Sequence, residues 1–172
     1  MGDGQDVRVV IGVPLYNGLS RGHLPEAVSS LLGQAYPYVA FVFVDDQSDD
    51  GTFAALESLV GGDRRVHLER NPRRLGLVDN WRRAFERARV LFPTAEYFAW
   101  GSDHDRWHRR WLEALASELD RHPHAVMAYP RRVRIDAEGK ETSHPQPRSP
   151  PKHFGPSGIS VGEPGQDRGI WQ

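Results

Sequence analysis

Cysteine is absent from this sequence, which limits the chemistry available to it. Without cysteine the chain has no disulfide framework, no thiolate zinc site and no cysteine nucleophile. Long apolar runs are also missing: the longest spans residues 38–44, whereas a membrane-spanning helix needs ~20 apolar residues. The N-terminus lacks the basic start and apolar core of a secretory signal. We therefore expect a cytoplasmic protein with no transmembrane segment.

A surplus of charge of either sign is missing as well. Twenty-two Lys and Arg residues against 23 Asp and Glu residues give a formal net charge of −1. The whole chain therefore creates no strong field that would attract nucleic acid or an anionic membrane. We expect no nucleic-acid partner.

The composition changes near residue 142. Residues 1–142 alternate apolar runs with amphipathic segments, whereas residues 143–172 contain six Pro and five Gly. Such a segment offers too few large apolar side chains to offset the entropy cost of ordering it. The sequence therefore predicts a folded domain over residues 1–142 and a disordered or loosely docked tail over residues 143–172.

The folded part shows alternating strand and helix patterns. Short apolar runs predict strands at residues 9–14, 39–44, 66–68, 97–100 and 126–129, with residues 131–135 as a candidate sixth strand. Helical spacing of apolar residues separates the first five runs, and the longest such stripe comprises Leu77, Trp81, Ala84, Phe85, Ala88 and Leu91. This alternation predicts an α/β fold with a mainly parallel sheet and helices on both faces.

Polar residues follow four of the predicted strands. They are Tyr16 and Asn17 after Pro14, the pair Asp45 and Asp46, Asn71, and the triplet Asp103, His104 and Asp105. Because ligands of parallel sheets bind at the carboxyl ends of the strands, we expect these residues to lie along one edge of the sheet.

Each of these groups has two interpretations from the residues alone. Tyr16 can stack on a nucleobase while Asn17 shapes the loop, or the segment is an ordinary Asn-Gly turn. Asp46 and its neighbour can accept hydrogen bonds from a base or ribose, or introduce the helix near Thr52. The acidic triplet can bind a hard divalent cation, or one of its carboxylates can cap the next helix. Arg73 and Arg74 can meet phosphate, or form a solvated loop.

Taken in order, four segments resemble the family 2 glycosyltransferases, which are inverting enzymes with a GT-A fold. The segments are VVIGVPLYN, FVFVDDQSDDGT, ERNPRRLGLVDNWRRAFERA and YFAWGSDHDRW, and the resemblance covers about residues 7–140. It implies that residues 1–142 form a Rossmann-like domain that binds a nucleotide-sugar. It further implies transfer of a sugar from a nucleotide-diphosphate sugar to an acceptor hydroxyl, on an unknown glycan, lipid or small molecule.

The resemblance also implies roles for individual residues. The pocket for the nucleotide would be lined by Pro14 and Tyr16, with Asn17 in the same loop. The base would be contacted by Asp46 or Asp45, and the diphosphate side would be shaped by Asn71 and Gly76. Asp103 and its neighbours would hold Mn²⁺ or Mg²⁺ on the diphosphate.

The acidic triplet departs from the usual family pattern, D-x-D-D. Aligning Asp105 with the last acid of that pattern places Asp103 and His104 within D-x-D, whereas the literal triplet begins at Asp103 and ends at Asp105. Both frames stay open, so the candidate metal ligands are Asp103, His104 and Asp105.

A general base is the second departure. In the family it is an Asp or Glu in an acceptor-binding half well beyond the triplet, whereas 67 residues follow Asp105 here. Glu163 and Asp167 occur there without surroundings that resemble that half. We therefore expect a chain truncated after its nucleotide-sugar-binding half, with an exposed sheet edge that favours association, including a homo-oligomer.

Three functions remain open on the sequence. The first is a metal-dependent glycosyltransferase of family 2 type. The second is a non-catalytic module that binds a nucleotide-sugar, and the third is a metal-dependent hydrolase of nucleotide diphosphates. An inverted transfer product, binding alone, and release of free sugar without an acceptor would distinguish them.

Overall fold

The structure is a computed structural model that describes residues 6–130, 132–136, 138–142 and 160–162. The chain divides into two compact units, residues 1–112 and 113–172. The elements, in chain order, are β1 (Val9–Leu15), a short 3-10 helix (Leu19–Arg21), α1 (Leu24–Leu32), β2 (Val39–Asp45), α2 (Thr52–Val60), β3 (Val66–Arg70), α3 (Leu77–Leu91), β4 (Tyr97–Trp100), α4 (Trp111–Arg121), β5 (Met127–Tyr129) and β6 (Ser160–Gly162).

The first unit is built on a four-stranded parallel sheet in the order β3-β2-β1-β4. Every residue of β1 and β2 is buried, as expected for central strands covered on both faces. Leu15 pairs with Asp45 and Asp45 with Arg70, so the carboxyl ends of three strands lie side by side. The predicted α/β fold with a parallel sheet is confirmed.

Pro14 lies in a central strand without costing the sheet a hydrogen bond. The β1–β4 pairing runs only from Val9 to Gly12, whose carbonyl accepts from Gly101 N at 2.9 Å. Backbone polar groups two residues apart point toward the same neighbouring strand, so the nitrogen of Pro14 points toward β4, where the pairing with β4 has already ended. The missing N–H of Pro14 therefore falls at the open carboxyl-terminal edge of the sheet.

Two apolar layers flank the sheet. Val10 and Val44 pack with Ala84 and Ala88 of α3 in one buried cluster. Side chains alternate along a strand, so Ile11 and Val13 of β1 point to the opposite face. There both lie against Gly101, which also contacts Leu31 of α1.

Helix α3 is rotated relative to the predicted stripe. Its buried residues are Asn80, Ala84 and Ala88, spaced by four, whereas Leu77 is 76% exposed. The rings of Trp81 and Phe85 are also partly exposed and pack on β4, with Trp81–Trp100 and Phe85–Phe98 centroid distances of 4.5 and 5.0 Å. Small residues let the helix approach the sheet closely, so the predicted stripe is wrong at Leu77 and holds at the alanines.

The second unit contains a separate, two-stranded antiparallel sheet of β5 and β6. The predicted fifth strand therefore exists but does not join the parallel sheet. The candidate sixth strand at residues 131–135 is wrong for the described positions 132–135, which contribute one isolated bridge, Ile135 to Glu141. The turn between them is present, since Gly139 N donates to Asp136 O at 3.0 Å.

The boundary predicted at residue 142 stays a prediction. Only Ser160–Gly162 of the predicted tail are described, and they form β6; the other tail residues, including Glu163 and Asp167, lie outside the described residues. Within the described ranges, no helix combines the length and apolar character needed to cross a membrane.

We predict that Gly12→Ala destabilises the first unit because the sheet leaves no room for a methyl group. A Cβ at this position would lie 2.7 Å from Phe98 Cζ, and that ring is held edge-on by Trp100 and Phe85. Overpacking of this kind costs about 1–3 kcal/mol, measured as the free energy of unfolding in urea. The double variant Gly12→Ala with Phe98→Leu should recover part of the loss; equal stability of Gly12→Ala and wild type would contradict the packing described.

Candidate functional site

The Asp46 carboxylate is buried at the end of β2 and binds the loop that leads into α3. Its Oδ1 accepts from Asn71 Nδ2 at 2.9 Å and from Leu75 N at 2.7 Å, and its Oδ2 accepts from Gly76 N at 2.8 Å. The Asp46 amide donates to Leu15 O at 2.9 Å. Through its backbone and its side chain, one residue thus joins the ends of β1 and β2 to the loop after β3.

Asn80 extends this network into the sheet. Its Oδ1 accepts from Asn71 Nδ2 at 2.9 Å, and its Nδ2 lies 3.2 Å from Val44 O and 3.4 Å from Leu15 O. Asn80 is 3% exposed, and a buried amide is tolerated because both its ends are hydrogen-bonded. The polar residue on the apolar face of α3 therefore fixes the start of that helix against the strand ends.

Asp45 has a different task from its neighbour. Its carboxylate is fully buried and accepts from the backbone N–H and the hydroxyl of Ser48, and Arg70 Nε lies 3.3 Å away. The Arg70 guanidinium also donates to Ser48 O at 2.6 Å. Asp45 and Arg70 therefore close the turn after β2, and Asp45 does not line the cavity described below.

The Tyr16–Gly18 turn is held by the segment after β2. Asn17 has φ = 50°, a left-handed conformation that Asn adopts more readily than most residues. Its side chain donates to Asp49 Oδ1 at 2.8 Å and accepts from Asp49 N at 3.1 Å, while its own amide donates to Ser48 Oγ at 2.9 Å. Asn17 thus fastens the loop after β1 to the segment after β2, and it lies outside the cavity lining.

The short 3-10 helix that follows is tied to the beginning of α2. Leu19 N donates to Thr52 Oγ1 at 3.0 Å and Ser20 N to Asp50 Oδ2 at 2.9 Å. Burial raises the pKa of Asp50, but hydrogen bonds from Thr52 and Ser20 outweigh it and hold the pKa below its ordinary value. The backbone that carries Arg21 is therefore fixed by a carboxylate that stays charged at neutral pH.

A cavity of about 230 Å³ opens at the carboxyl ends of β1 and β2. Its lining comprises Pro14, Leu15, Tyr16, Arg21, Asp46, Arg74, Leu77, Asn80 and Trp81. Pockets that enclose drug-sized ligands usually measure roughly 300–1,000 Å³. The cavity is therefore smaller than such pockets, and a drug-sized ligand would lie partly outside it.

A cation–π contact forms one wall of the cavity. The Arg74 guanidinium lies 3.9 Å from the centroid of the half-buried Tyr16 ring. Within the described part of the chain, Arg74 has no carboxylate in ion-pair distance. A planar aromatic ligand stacking on this face of Tyr16 would exchange with the guanidinium or extend the stack.

Asp103 lies behind the second cation of the cavity, Arg21. The Arg21 guanidinium is 3.4 Å from both Asp103 oxygens, and His104 Nδ1 is 2.7 Å from Asp103 Oδ1. Asp103 is 4% exposed, and a Cβ at Gly18 would come within 2.6 Å of its Oδ2. Glycine at position 18 thus lets the β1 loop approach the carboxylate.

Asp105 points into a local turn instead. Its Oδ2 accepts from Ser102 Oγ at 2.7 Å, and its amide donates to the same hydroxyl at 3.0 Å. Helix α4 begins only at Trp111, so neither Asp103 nor Asp105 caps it, and that alternative is wrong. The sequence also allowed Asp45 and Asp46 to introduce the helix near Thr52. In the structure Asp46 instead binds the loop before α3, and Asp50 accepts the hydrogen bond from Thr52 N.

No three His, Asp or Glu side chains lie together as a ready-made metal site among the residues described. The Asp103 carboxylate and the His104 ring nitrogen do converge, at 2.7 Å. One or two protein ligands suffice for a divalent cation that substrate phosphates also coordinate. The donor chemistry of Asp103 and His104 thus fits a cation that phosphate oxygens also coordinate.

Sequence reasoning found only part of this arrangement. Of the residues it named, Pro14, Leu15, Tyr16, Asp46 and Arg74 line the cavity, and Asn71 and Gly76 reach it through Asp46. It missed Arg21, Leu77, Asn80 and Trp81. The one available signal was a polar residue, Asn80, on the otherwise apolar face of α3.

We predict that Asp46→Asn loosens the loop before α3. Both carboxylate oxygens accept hydrogen bonds from the chain, so an amide must place a donor against a donor. Hydrogen bonds to charged groups contribute ~1.5–3 kcal/mol each, and we expect a loss of about 2 kcal/mol in the free energy of unfolding in urea. The exposed Asp79→Asn, which removes the Arg82 ion pair on α3, should change stability by less than about 0.5 kcal/mol. Equal effects of the two variants would contradict the role of Asp46.

Comparison with known proteins identifies relatives of this chain. The sequence profile of glycosyl transferase family 2 matches residues 10–164. TuaG of Bacillus subtilis (strain 168), whose name describes a teichuronic acid biosynthesis glycosyltransferase, is 30% identical over 105 residues. That alignment covers 61% of this chain and 39% of TuaG. The chain thus spans about two fifths of the length of this relative.

Solved structures share the fold. TarS 1-349 of S. aureus in complex with UDP superimposes with a TM-score of 0.63 at 19% identity, over 80% of this chain and 38% of TarS. The mannosyltransferase PcManGT from Pyrobaculum calidifontis, in complex with GDP-Man and Mn²⁺, gives 0.61 at 24% identity, over 74% of this chain and 36% of that one. At these identities the two likenesses establish the fold alone. The profile match, which covers most of the sequence, establishes that this chain belongs to glycosyl transferase family 2.

Proposed function

We propose that this chain carries the donor site of a glycosyltransferase that moves a sugar from a nucleotide-diphosphate sugar to an acceptor hydroxyl. The observation that carries the proposal is the cavity at the carboxyl ends of β1 and β2, where Tyr16, Arg21 and Arg74 surround the buried Asp46. An aromatic face, two guanidinium groups and a carboxylate are the groups that a base and a diphosphate require. The donors named with the structural neighbours, UDP-GlcNAc and GDP-Man, have this chemistry.

In this proposal Tyr16 stacks on the base and Asp46 binds its polar edge. Asp46 Oδ2 accepts one hydrogen bond, from Gly76 N, and a carboxylate oxygen can accept two. The carboxylate thus keeps acceptor capacity on the cavity side, suited to a base N–H. Pro14 and Trp81 supply apolar walls, and Asn71 acts by holding Asp46 in place.

The diphosphate lies toward Asp103 and His104, which would hold Mn²⁺ or Mg²⁺. When bound, such a cation neutralises the negative charge on the departing nucleotide diphosphate. Asp103 is prepared for this task because its carboxylate is buried and already has a cation, Arg21, beside it. Asp105 would have to leave Ser102 in order to contribute as a third ligand.

The acceptor hydroxyl must lose a proton during transfer. A positioned general base typically contributes ~10²–10⁴ in rate, and no carboxylate of the described residues lines the cavity except Asp46, whose oxygens serve the loop. The acceptor, whether glycan, lipid or small molecule, and its base are therefore assigned to no residue here.

We predict that one nucleoside diphosphate stabilises the chain in a thermal-shift titration of UDP, GDP and dTDP, each with and without Mn²⁺. A ligand at a hundred times its Kd adds ~2.7 kcal/mol, and each kcal/mol raises the Tm of a chain of this size by ~2–4 °C. We expect a rise of several degrees that is larger with Mn²⁺. No shift with any nucleotide, in a chain that melts cooperatively, would contradict the donor site. Release of free sugar from the matching donor in the absence of an acceptor would show that the chain hydrolyses the donor and does not transfer its sugar.

We also predict that replacing two acidic residues distinguishes the contact to the base from the contact to the metal. Asp46→Asn should weaken nucleotide binding by a similar factor with and without Mn²⁺, because Asp46 serves the base and its loop. Asp103→Asn should remove most of the Mn²⁺-dependent part of the affinity, measured by isothermal titration calorimetry.

The matched control is Asp63→Asn, an ion-paired carboxylate just before β3, at the opposite end of the strands. It should bind nucleotide like the wild type. Unchanged Mn²⁺ dependence in Asp103→Asn would remove Asp103 from the metal site.

A further inference from the structure

Arg21 stands between the cavity and the buried Asp103 carboxylate. Its guanidinium lines the cavity and lies 3.4 Å from both Asp103 oxygens. The side chain of Arg21 is 51% exposed, whereas that of Asp103 is 5% exposed. A half-exposed cation is thus paired with a buried carboxylate.

The buried charge of Asp103 requires a cation beside it, but the contact between Arg21 and Asp103 is long. A buried carboxylate without a cation is strongly unfavourable, so some positive group must stay beside Asp103. Charge-assisted N–H···O contacts are usually ~2.7–2.9 Å, shorter than the 3.4 Å observed here. Another cation can therefore take the place of the guanidinium at modest cost.

Only the side chain of Arg21 has freedom to move. Its backbone belongs to the short 3-10 helix that Ser20 N and Leu19 N tie to Asp50 and Thr52. On the other side of Asp103, Gly18 brings the β1 loop against Oδ2. A guanidinium released from Asp103 therefore stays at the cavity wall, where its planar fork matches phosphate oxygens.

We propose that Arg21 and a divalent cation exchange at Asp103, and that the displaced Arg21 binds the diphosphate of the donor. The inference rests on the proposed function and adds a residue that couples the metal to the nucleotide. The exchange keeps Asp103 neutralised at every stage. It also brings a second positive charge to the diphosphate when the metal arrives, so that metal and nucleotide strengthen each other's binding.

The test measures two affinities in Arg21→Ala, Arg21→Lys and the wild type. The first is for Mn²⁺ alone, from the loss of the free-ion signal in electron paramagnetic resonance. We expect Arg21→Ala to bind Mn²⁺ several-fold more tightly than the wild type, because the competing guanidinium is gone. A role for Arg21 confined to folding would not produce tighter metal binding.

The second affinity is for UDP or GDP in saturating Mn²⁺, by calorimetry. Arg21→Ala should bind about tenfold more weakly, the loss expected for one charge-assisted contact, and Arg21→Lys should fall between. Arg82→Ala, an exposed arginine of α3 paired with Asp79, is the matched control and should leave both affinities unchanged.

Each outcome decides a separate claim. Mn²⁺ binding that is equal or weaker in Arg21→Ala overturns the exchange at Asp103. Nucleotide affinity that is undiminished in Arg21→Ala overturns the diphosphate role, while the wild-type affinity keeps the proposed function intact. A wild type that binds Mn²⁺ but none of UDP, GDP and dTDP contradicts the proposed function itself, together with the diphosphate role of Arg21.

Discussion

The carboxyl-terminal edge of the sheet depends on the buried carboxylate of Asp46. Its three hydrogen bonds reach Asn71, Leu75 and Gly76, and its amide is bonded to Leu15 at the end of β1. Parallel strands align their ends but do not join the loops that leave them. Asp46 supplies that connection through its backbone and its carboxylate, so the loop before α3 and the cavity wall beside it depend on one residue.

Four acidic residues near the cavity have different structural roles. Asp45 closes the turn after β2 with Ser48 and Arg70, whereas Asp50 anchors the 3-10 helix. Asp46 shapes the loop before α3 and lines the cavity. Asp103 is paired with Arg21, a half-exposed cation that also lines the cavity, which is why we propose metal exchange there. Burial and hydrogen-bond partners, rather than residue type, distinguish these roles.

The order of elements in the first unit could be predicted because its signals are local. Apolar β-branched runs predict strands that are buried on both faces, and β1 and β2 are such strands. The convergence of Tyr16, Asp46 and Asn71 followed from one topological rule about parallel sheets. These features depend on neighbours in sequence or on the direction of strands, so a sequence contains them.

The remaining features depend on contacts between distant segments. Arg21 reaches Asp103 across 82 positions, and no local pattern encodes that pairing. The exposure of Leu77 reflects how α3 rotates to place Ala84 and Ala88 on the sheet. Likewise, β5 pairs with β6 in the Pro- and Gly-rich segment, where composition alone predicted no element.

The location of the nucleotide is the central claim, and backbone-amide NMR tests it most directly. With UDP or GDP and Mg²⁺ added to the ¹⁵N-labelled chain, we expect the largest shifts at Tyr16, Arg21, Leu75 and Gly76. Replacing Mg²⁺ by Mn²⁺ should broaden the amides around Asp103 first, because paramagnetic broadening falls steeply with distance. Shifts confined to residues away from the carboxyl ends of β1 and β2, or no shifts at all, would contradict the account.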